Sequence, residues 1–367
     1  MDIKSITVWT TALTSHTPYY MAEGKACESV ATVIVRITDA TGTTGWGEVC
    51  PIPHYLPAYA DGVLPAITEM ARPLLGEPVS SPDAAMARLD AWLPGHVYAK
   101  SAIDIALWDL FARKLNVPLH ALLGGKRAVR MPLYHSITCI APDDMARIAR
   151  EAYSSGIRQF QAKLGADRNW EADVARLRLV REAVGNGPIV YGDWNCGANR
   201  LDAIRVGRAV QDLDVMLEQP CATLEDCAAV KRATGLPMKL DELAHDTTSL
   251  LKAWHLDCMD AVALKLSKFG GLTPLRRARD LCLHLGPKLC IECTWGSDIA
   301  MAAALHLGAA TPPESVLNVC DLAGYVSPQL SKHAPRRQDG FIKPPEGPGL
   351  GVAPDLSILG EPVANFE

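Results

Sequence analysis

Phe160-Gln-Ala-Lys163, Val190-Tyr-Gly-Asp193, Met216-Leu-Glu218, Lys239-Leu-Asp241 and Ala263-Leu-Lys265 are five strand-length segments, each ending in one residue able to do chemistry. A helix-like run follows each of them, and the loaded residues recur every 23 to 30 positions, the length of one strand-plus-helix unit in a parallel α/β fold. When such units close into a barrel, the carboxyl ends of successive strands meet at one mouth. Asp193, Glu218 and Asp241 then converge from three consecutive strands, with Lys163 and Lys265 one strand outside them on either side. The pattern describes a hard-cation site between two bases.

Working outward, eight strand candidates cover Val129–Ser136, Arg158–Lys163, Ile189–Asp193, Val215–Glu218, Met238–Asp241, Ala261–Lys265, Lys288–Cys293 and Ser315–Val319. Amphipathic helices alternate with them, so the fold class is α/β, a (β/α)8-type TIM barrel over residues 129–335. A doubly wound open sheet is the structural alternative, but it calls for a Gly-rich phosphate loop after its first strand, and the chain has none. Upstream, residues 1–128 read as an α+β capping domain. Strands are expected over Ile3–Thr10, Ser29–Thr38 and Thr43–Glu48, and a helix over Ala99–Lys114. Two aromatic-bearing segments, Ser15–Lys25 and Cys50–Pro57, read as loops. The Pro- and Gly-rich stretch within 336–367 is too apolar for a free tail and is expected to return to the capping domain, which both termini then form.

Composition narrows the function classes. The 367-residue chain is 49% hydrophobic and 21% charged, with a net charge of −5 and a sequence pI near 6.1. That balance leaves no electrostatic footprint for nucleic acid, and no basic block suits an anionic membrane surface. Met1-Asp2-Ile3-Lys4 does not open a secretory signal, and no apolar run is long enough to span a bilayer, so a cytoplasmic protein is expected. The 11 cysteines lack framework spacing and read as free buried thiols. Cys290 and Cys293 match a CxxC pair, but no partner set has zinc spacing.

Three carboxylates without nearby His or Cys suit Mg2+, which favours oxygen donors. A lysine close to a cation and partly desolvated loses proton affinity and becomes a usable base. The cation stabilises the enediolate left when a carbon acid beside a carboxylate loses its α-proton. A Schiff-base aldolase also uses barrel lysines, but it has no need of the carboxylate triad. A catalytically idle barrel serving as a binding or scaffold protein would have lost one of these five residues, and all five are present.

The same residues carry a family resemblance. Trp46-Gly-Glu48, Ala102-Ile-Asp-Ile-Ala-Leu-Trp-Asp109, Phe160-Gln-Ala-Lys-Leu-Gly165, Asp193-Trp-Asn195, Glu218-Gln-Pro220, Leu240-Asp-Glu242, Leu264-Lys-Leu-Ser-Lys-Phe-Gly-Gly271 and Pro348-Gly-Leu-Gly-Val352 together resemble the enolase superfamily, in its mandelate racemase and muconate lactonizing enzyme branch. The resemblance implies a cap built from both termini, Mg2+ on Asp193, Glu218 and Asp241, and Lys163 and Lys265 as acid/base residues on opposite faces of the substrate. It also implies a homo-oligomer. One departure stands out: the muconate-type pattern has Lys-x-Lys where this chain has Gln161-Ala-Lys163. Lys239, two residues before Asp241 and so on the same strand face, is the candidate for supplying the displaced charge; Lys268 is a possible competitor of Lys265.

Tyr55, Gln161, Asn195, Glu292, Trp295 and Asp321 are the candidate substrate contacts. The acids suit a substrate ammonium, the aromatic residues its cationic face, although Glu292 and Asp321 could also be helix caps and Trp295 a packing residue. Gln-x-Lys on strand two and Glu-Cys-Thr-Trp after strand seven resemble the branch members that act on proline derivatives. That resemblance implies a small amino acid or proline derivative as partner. Anti-dehydration of cis-3-hydroxy-L-proline to Δ1-pyrroline-2-carboxylate is the preferred outcome, and epimerisation of a proline betaine or other amino acid derivative the alternative.

Overall fold

The computed structural model describes residues 1–53 and 57–367. The capping sheet is a meander of β1 (Ile3–Tyr20), β2 (Ala26–Asp39) and β3 (Thr44–Val49), all antiparallel. Helices α1 (Val63–Leu75), α2 (Pro82–Trp92) and α3 (Val97–Lys114) follow. β4 (Met131–Pro132) precedes eight parallel strands: β5 (His135–Ile137), β6 (Gln159–Lys163), β7 (Ile189–Asp193), β8 (Val215–Glu218), β9 (Met238–Leu240), β10 (Ala261–Lys265), β11 (Lys288–Glu292) and β12 (Val316–Val319). They pair in consecutive order from β5 to β12, with no reversal of the kind a doubly wound sheet requires. The two ends meet through a parallel Leu133–Val319 bridge. Beyond the barrel, β13 (Val326–Ser327) and β15 (Ala364–Phe366) both add to β1, and β14 (Phe341–Ile342) pairs with β4.

Two expectations are corrected. The Ser15–Lys25 segment is not a loop: β1 continues to Tyr20, with a register shift against β2 between Thr14 and Tyr19, which carries Tyr19 to the barrel mouth. The first barrel strand is also shorter than Val129–Ser136. Pro132 has no N–H to give a ladder, and Met131–Pro132 pairs with Phe341–Ile342 in a separate ribbon instead. All eleven cysteines are free, Cys290 and Cys293 among them.

Helix α3 is buried nearly all round because it lies between the cap sheet and the barrel. Gly45 and Gly47 of β3 let it approach: a Cβ there would sit 2.2 Å from the Ala106 carbonyl oxygen and 1.9 Å from that of Ala102. Buried carboxylates then bind cap to barrel through backbone N–H groups. Asp109 accepts from Trp46 N (2.8 Å), from Leu350 N (2.6 Å) and from Arg113 Nε (2.9 Å), tying strand, tail and helix together. Asp104 accepts from Thr273 N and Oγ1 on a barrel helix, at 2.8 and 2.6 Å. Glu48 accepts from Ser297 N (2.7 Å), Ser297 Oγ (2.7 Å) and Ala300 N (2.9 Å), at the N-terminus of the barrel helix Asp298–Ala309. Hydrogen bonds to a charged group contribute about 1.5–3 kcal/mol each, and an acid at a helix N-terminus also meets the positive end of its dipole.

The tail is held at a second point by His306. Its Nδ1 accepts from the His120 backbone N–H (3.2 Å), and its Nε2 donates to the Leu350 carbonyl (3.1 Å). Burial holds the imidazole neutral, pushing its pKa down from 6.5 to about 3. Between those two values the unfolded chain binds one more proton at this position, so the contribution of His306 to stability is complete above pH 6.5 and is lost as pH falls toward 3. The carboxyls of Asp104 and Asp109, raised by burial to about 7 and about 6, act with the opposite sign. The test is therefore the difference between His306→Asn and the parent. Unfolding free energies measured by denaturant titration from pH 7 to pH 4 are expected to fall less steeply in the variant, by up to about 1.4 kcal/mol per pH unit.

Candidate active site

Parallel pairing sets the site geometry. Lys163 pairs across from Asp193, and Asp193 from Glu218, so the ends of β6, β7 and β8 lie at one level. On the far side Lys265 pairs across from Glu292. Side chains that point inward there are removed from water: Lys163, Asp193, Glu218, Asp241 and Lys265 are all buried. Each therefore needs a counter-charge nearby.

Asp193 Oδ2 takes the Lys163 ammonium and Asp241 Oδ2 the Lys265 ammonium, the latter at 2.6 Å. Lys268 does not compete for the place of Lys265. It bonds the Asp241 backbone carbonyl and Asp241 Oδ1, the latter at 2.8 Å, so it holds this carboxylate from the other side. Lys239 is fully buried, with Nζ 2.9 Å from Glu218 Oε1 and 4.5 Å from the Tyr191 ring centroid. Its ammonium thus points into the barrel toward the candidate metal ligands.

These contacts set proton affinities. Burial alone would depress the Lys163 ammonium, but Asp193, Tyr19 and Glu218 outweigh it and hold it above the ordinary lysine range. Lys265 is raised in the same way, chiefly by Asp241 against the effect of burial. Asp241, which burial would raise, is held far below the usual carboxylate range by Lys265 and Lys268. Glu218 moves the other way: burial pushes it up to about 7, with Lys239 opposing and Asp193 and Asp241 adding repulsion.

Does this donor set fit a divalent cation? Among the described residues no three carboxylates converge at ligand spacing, because Asp193 and Asp241 are turned onto lysines. The chemistry nevertheless fits. All three donors are carboxylates on consecutive strands, Glu218 Oε1 lies beside Lys239 without hydrogen-bond alignment, and Glu242 Oε2 is a second buried oxygen without a hydrogen-bond partner. Asp193, Glu218 and Asp241 would hold Mg2+, with Glu242 alongside.

The candidate substrate contacts divide. Lys163, Lys265, Gln161, Glu292 and Trp295 line one cavity of about 30 Å³, with Tyr19 beside them. That is room for little more than water, and the cap residues Tyr19, Met21 and Ile52 form part of its wall. Larger clefts beside Trp170 and beside Tyr59 contain neither lysine. Glu292 accepts from Tyr134 OH (2.8 Å) and from Cys290 Sγ (3.1 Å). Trp295 packs edge-on against Tyr19 at 5.3 Å.

Gln161 directs its amide N–H groups to Asp193 and Glu218. Asn195 accepts from Lys163 Nζ (3.2 Å) and donates to Asp193 Oδ2 and Glu242 Oε1 (both 3.1 Å). The polar atoms of both residues are thereby committed to protein partners. Asp321 lies away from the cavity-lining set, forked onto Arg337 at 2.8 and 3.1 Å. It caps no helix with its side chain. Tyr55 lies outside the described residues. Tyr134 and Ser136 are not among the candidates read from the sequence. Both precede the end of β5 with inward alternation, and that was the available signal.

Comparison with known proteins follows the same outline. Residues 3–124 match the model of the mandelate racemase/muconate lactonizing enzyme N-terminal domain, and residues 144–358 the enolase C-terminal domain-like model. The chain is 38% identical to cis-3-hydroxy-L-proline dehydratase of Roseibium aggregatum, over 95% of each protein. It is 27% identical to N-succinyl-L-Arg/Lys racemase of Bacillus cereus, over 98% of each. A crystal structure of an enolase superfamily member from Roseovarius nubinhibens, complexed with magnesium, superposes with a TM-score of 0.94 at 35% identity, covering 100% of this chain and 99% of that one.

A cation on these carboxylates would relieve their mutual repulsion. Titration with MgCl2 is expected to raise the melting temperature, by the equivalent of about 2.7 kcal/mol at one hundred times the dissociation constant. EDTA should reverse the shift, and Asp193→Asn or Asp241→Asn should abolish it, as read by differential scanning fluorimetry.

Proposed function

The chain belongs to the mandelate racemase/muconate lactonizing enzyme branch of the enolase superfamily, and on that premise we propose that it dehydrates cis-3-hydroxy-L-proline to Δ1-pyrroline-2-carboxylate. The observation that carries this reading is one cavity lined by two lysines and a buried glutamate. Glu292 presents a carboxylate to a substrate ammonium, while Lys163 and Lys265 are placed to serve the reacting carbons.

In cis-3-hydroxy-L-proline the hydroxyl is cis to the carboxylate, so it leaves from the ring face opposite the α-proton. Anti-elimination therefore needs a base on one face and an acid on the other. One lysine takes the C2 proton, the electron pair forms the C2–C3 double bond, and the C3–O bond breaks. The second lysine gives its proton to the departing hydroxide, so water leaves. The resulting enamine tautomerises to the Δ1-pyrroline. Mg2+, when bound, supplies the positive charge that stabilises the enediolate and neutralises the carboxylates that otherwise hold both lysines protonated. Asn195 holds Lys163 beside Asp193, and Lys268 keeps Asp241 in place next to Lys265.

A second reading, epimerisation of a proline betaine, is favoured by the aromatic rings of Tyr19, Tyr134 and Trp295 on the cavity wall, which suit a quaternary ammonium. The match of a buried acid to an N–H-bearing ammonium places it second.

Proton NMR of the protein with Mg2+ and cis-3-hydroxy-L-proline in D2O separates the two. Growth of pyrroline-carboxylate signals with loss of the 3-proton pattern is the expected outcome. An unchanged substrate, with deuterium entering the α-position of a proline betaine instead, would replace the first reading with the second. Lys163→Ala and Lys265→Ala are each expected to lower kcat by 10²–10⁴-fold. The two should differ in one respect: the variant that retains the base continues to exchange the α-proton with solvent deuterium, and the other does not.

A further inference from the structure

A continuous run of hydrogen bonds leads from the capping sheet to two of the candidate metal ligands. The hydroxyl of Tyr19, near the end of β1, bonds Ser136 Oγ on β5. Ser136 Oγ donates to Gln161 Oε1 at 2.5 Å. Gln161 Nε2 donates to Asp193 Oδ2 at 3.0 Å and to Glu218 Oε2 at 2.7 Å. All five side chains are buried. Ser136 is itself held in place: it pairs with Gln161 across the β5–β6 ladder, and its backbone N–H donates to Tyr325 OH at 3.2 Å.

The direction of every bond in this run is determined by its far end. The amide gives its N–H groups to Asp193 and Glu218, which leaves its oxygen to accept from Ser136. Ser136 has one proton and gives it to that oxygen. The Tyr19 phenol is then the donor to Ser136. A displaced cap removes the last donor, and the run loses its anchor.

We infer that Tyr19 and Ser136 are positioning residues that make the divalent-cation affinity of the Asp193–Glu218 pair depend on the seating of the cap. The inference rests on the assignment of those two carboxylates as metal ligands. Its physical basis is competition. At Glu218 the two oxygens are divided, Oε2 accepting from Gln161 and Oε1 facing Lys239, whereas at Asp193 Gln161, Asn195 and Lys163 share Oδ2. Loss of the anchor leaves the amide free to turn. Glu218 then loses the partner opposing Lys239, and Asp193 Oδ2 loses a neutral donor and keeps the Lys163 ammonium, so a cation must compete with both ammoniums. Tyr19 also packs on Trp295, so the same residue touches the substrate wall.

The test is calorimetric titration of Mg2+, without substrate, into the parent, Tyr19→Phe, Ser136→Ala, the double variant and Ser136→Thr. Each of the first two single changes is expected to weaken binding roughly fivefold, the worth of one hydrogen bond. Because the bonds are in series, the double variant should bind no more weakly than Ser136→Ala alone. Ser136→Thr keeps the hydroxyl and should retain the parent affinity. Unaltered affinity in Tyr19→Phe overturns the inference, as do effects that multiply in the double variant. Should Ser136→Ala fail to fold, Tyr19→Phe, which keeps the ring, decides alone. A parent that binds no Mg2+ overturns the ligand assignment together with this inference. Normal Mg2+ behaviour with no dehydration overturns only the substrate reading.

Discussion

Three carboxylates and four lysines, all buried, share the mouth of one barrel, and each must find its counter-charge among the others. An unpaired charge in such a place costs several kcal/mol, so the pairing pattern is a condition for folding as well as for chemistry. Parallel register dictates it. Lys163, Asp193 and Glu218 stand side by side because their strands pair in order, and the remaining lysines fill the sides those neighbours leave open. Lys239 approaches Glu218 from the neighbouring strand, beside the rings of Tyr134 and Tyr191, and Lys268 grips Asp241 at both backbone and side chain. The same contacts hold Lys163 and Lys265 above the ordinary lysine range.

Such a charge cluster requires a cover, and the cover is attached by the same physics. Glu48, Asp104 and Asp109 carry cap–barrel and cap–tail contacts as buried carboxylates aimed at backbone N–H groups. Gly45 and Gly47 allow the long helix to lie directly on the cap sheet. Because Glu48 grips the segment that follows Trp295, and Tyr19 packs on its ring, the wall of the cavity is shaped from the cap side. The cap residues thus share contacts with the cavity wall and, through Tyr19 and Ser136, with Gln161.

Much of the fold was legible. Strand ends at Lys163, Asp193, Glu218 and Lys265 are where the apolar segments stop, and the strand–helix spacing implied the consecutive order that is observed. Less legible was the first barrel strand, where Pro132 breaks the ladder, and the course of β1, whose polar run from Thr14 to Tyr20 resembles a loop yet is held by β2 and β13. Within the site, Glu292 and Trp295 stand on the cavity wall. Asp321 looks alike in sequence, but Arg337, sixteen residues further on, claims it. Gln161 and Asn195 likewise turn toward the ligand carboxylates, a choice governed by neighbours on other strands.

Strand period, strand–helix alternation and the residue at each strand end are local properties of the chain, and from them follow the barrel, the capping of its mouth and the set of charged residues brought there. Which donor each carboxylate receives, Lys239 against Glu218 Oε1 among them, and the path from Tyr19 to Gln161 through Ser136 emerge only in the folded molecule. Hydrogen bonds and ion pairs form over about 3 Å between side chains that can lie more than a hundred residues apart. Their choice among several equivalent partners is made by packing, which periodicity along the chain does not encode.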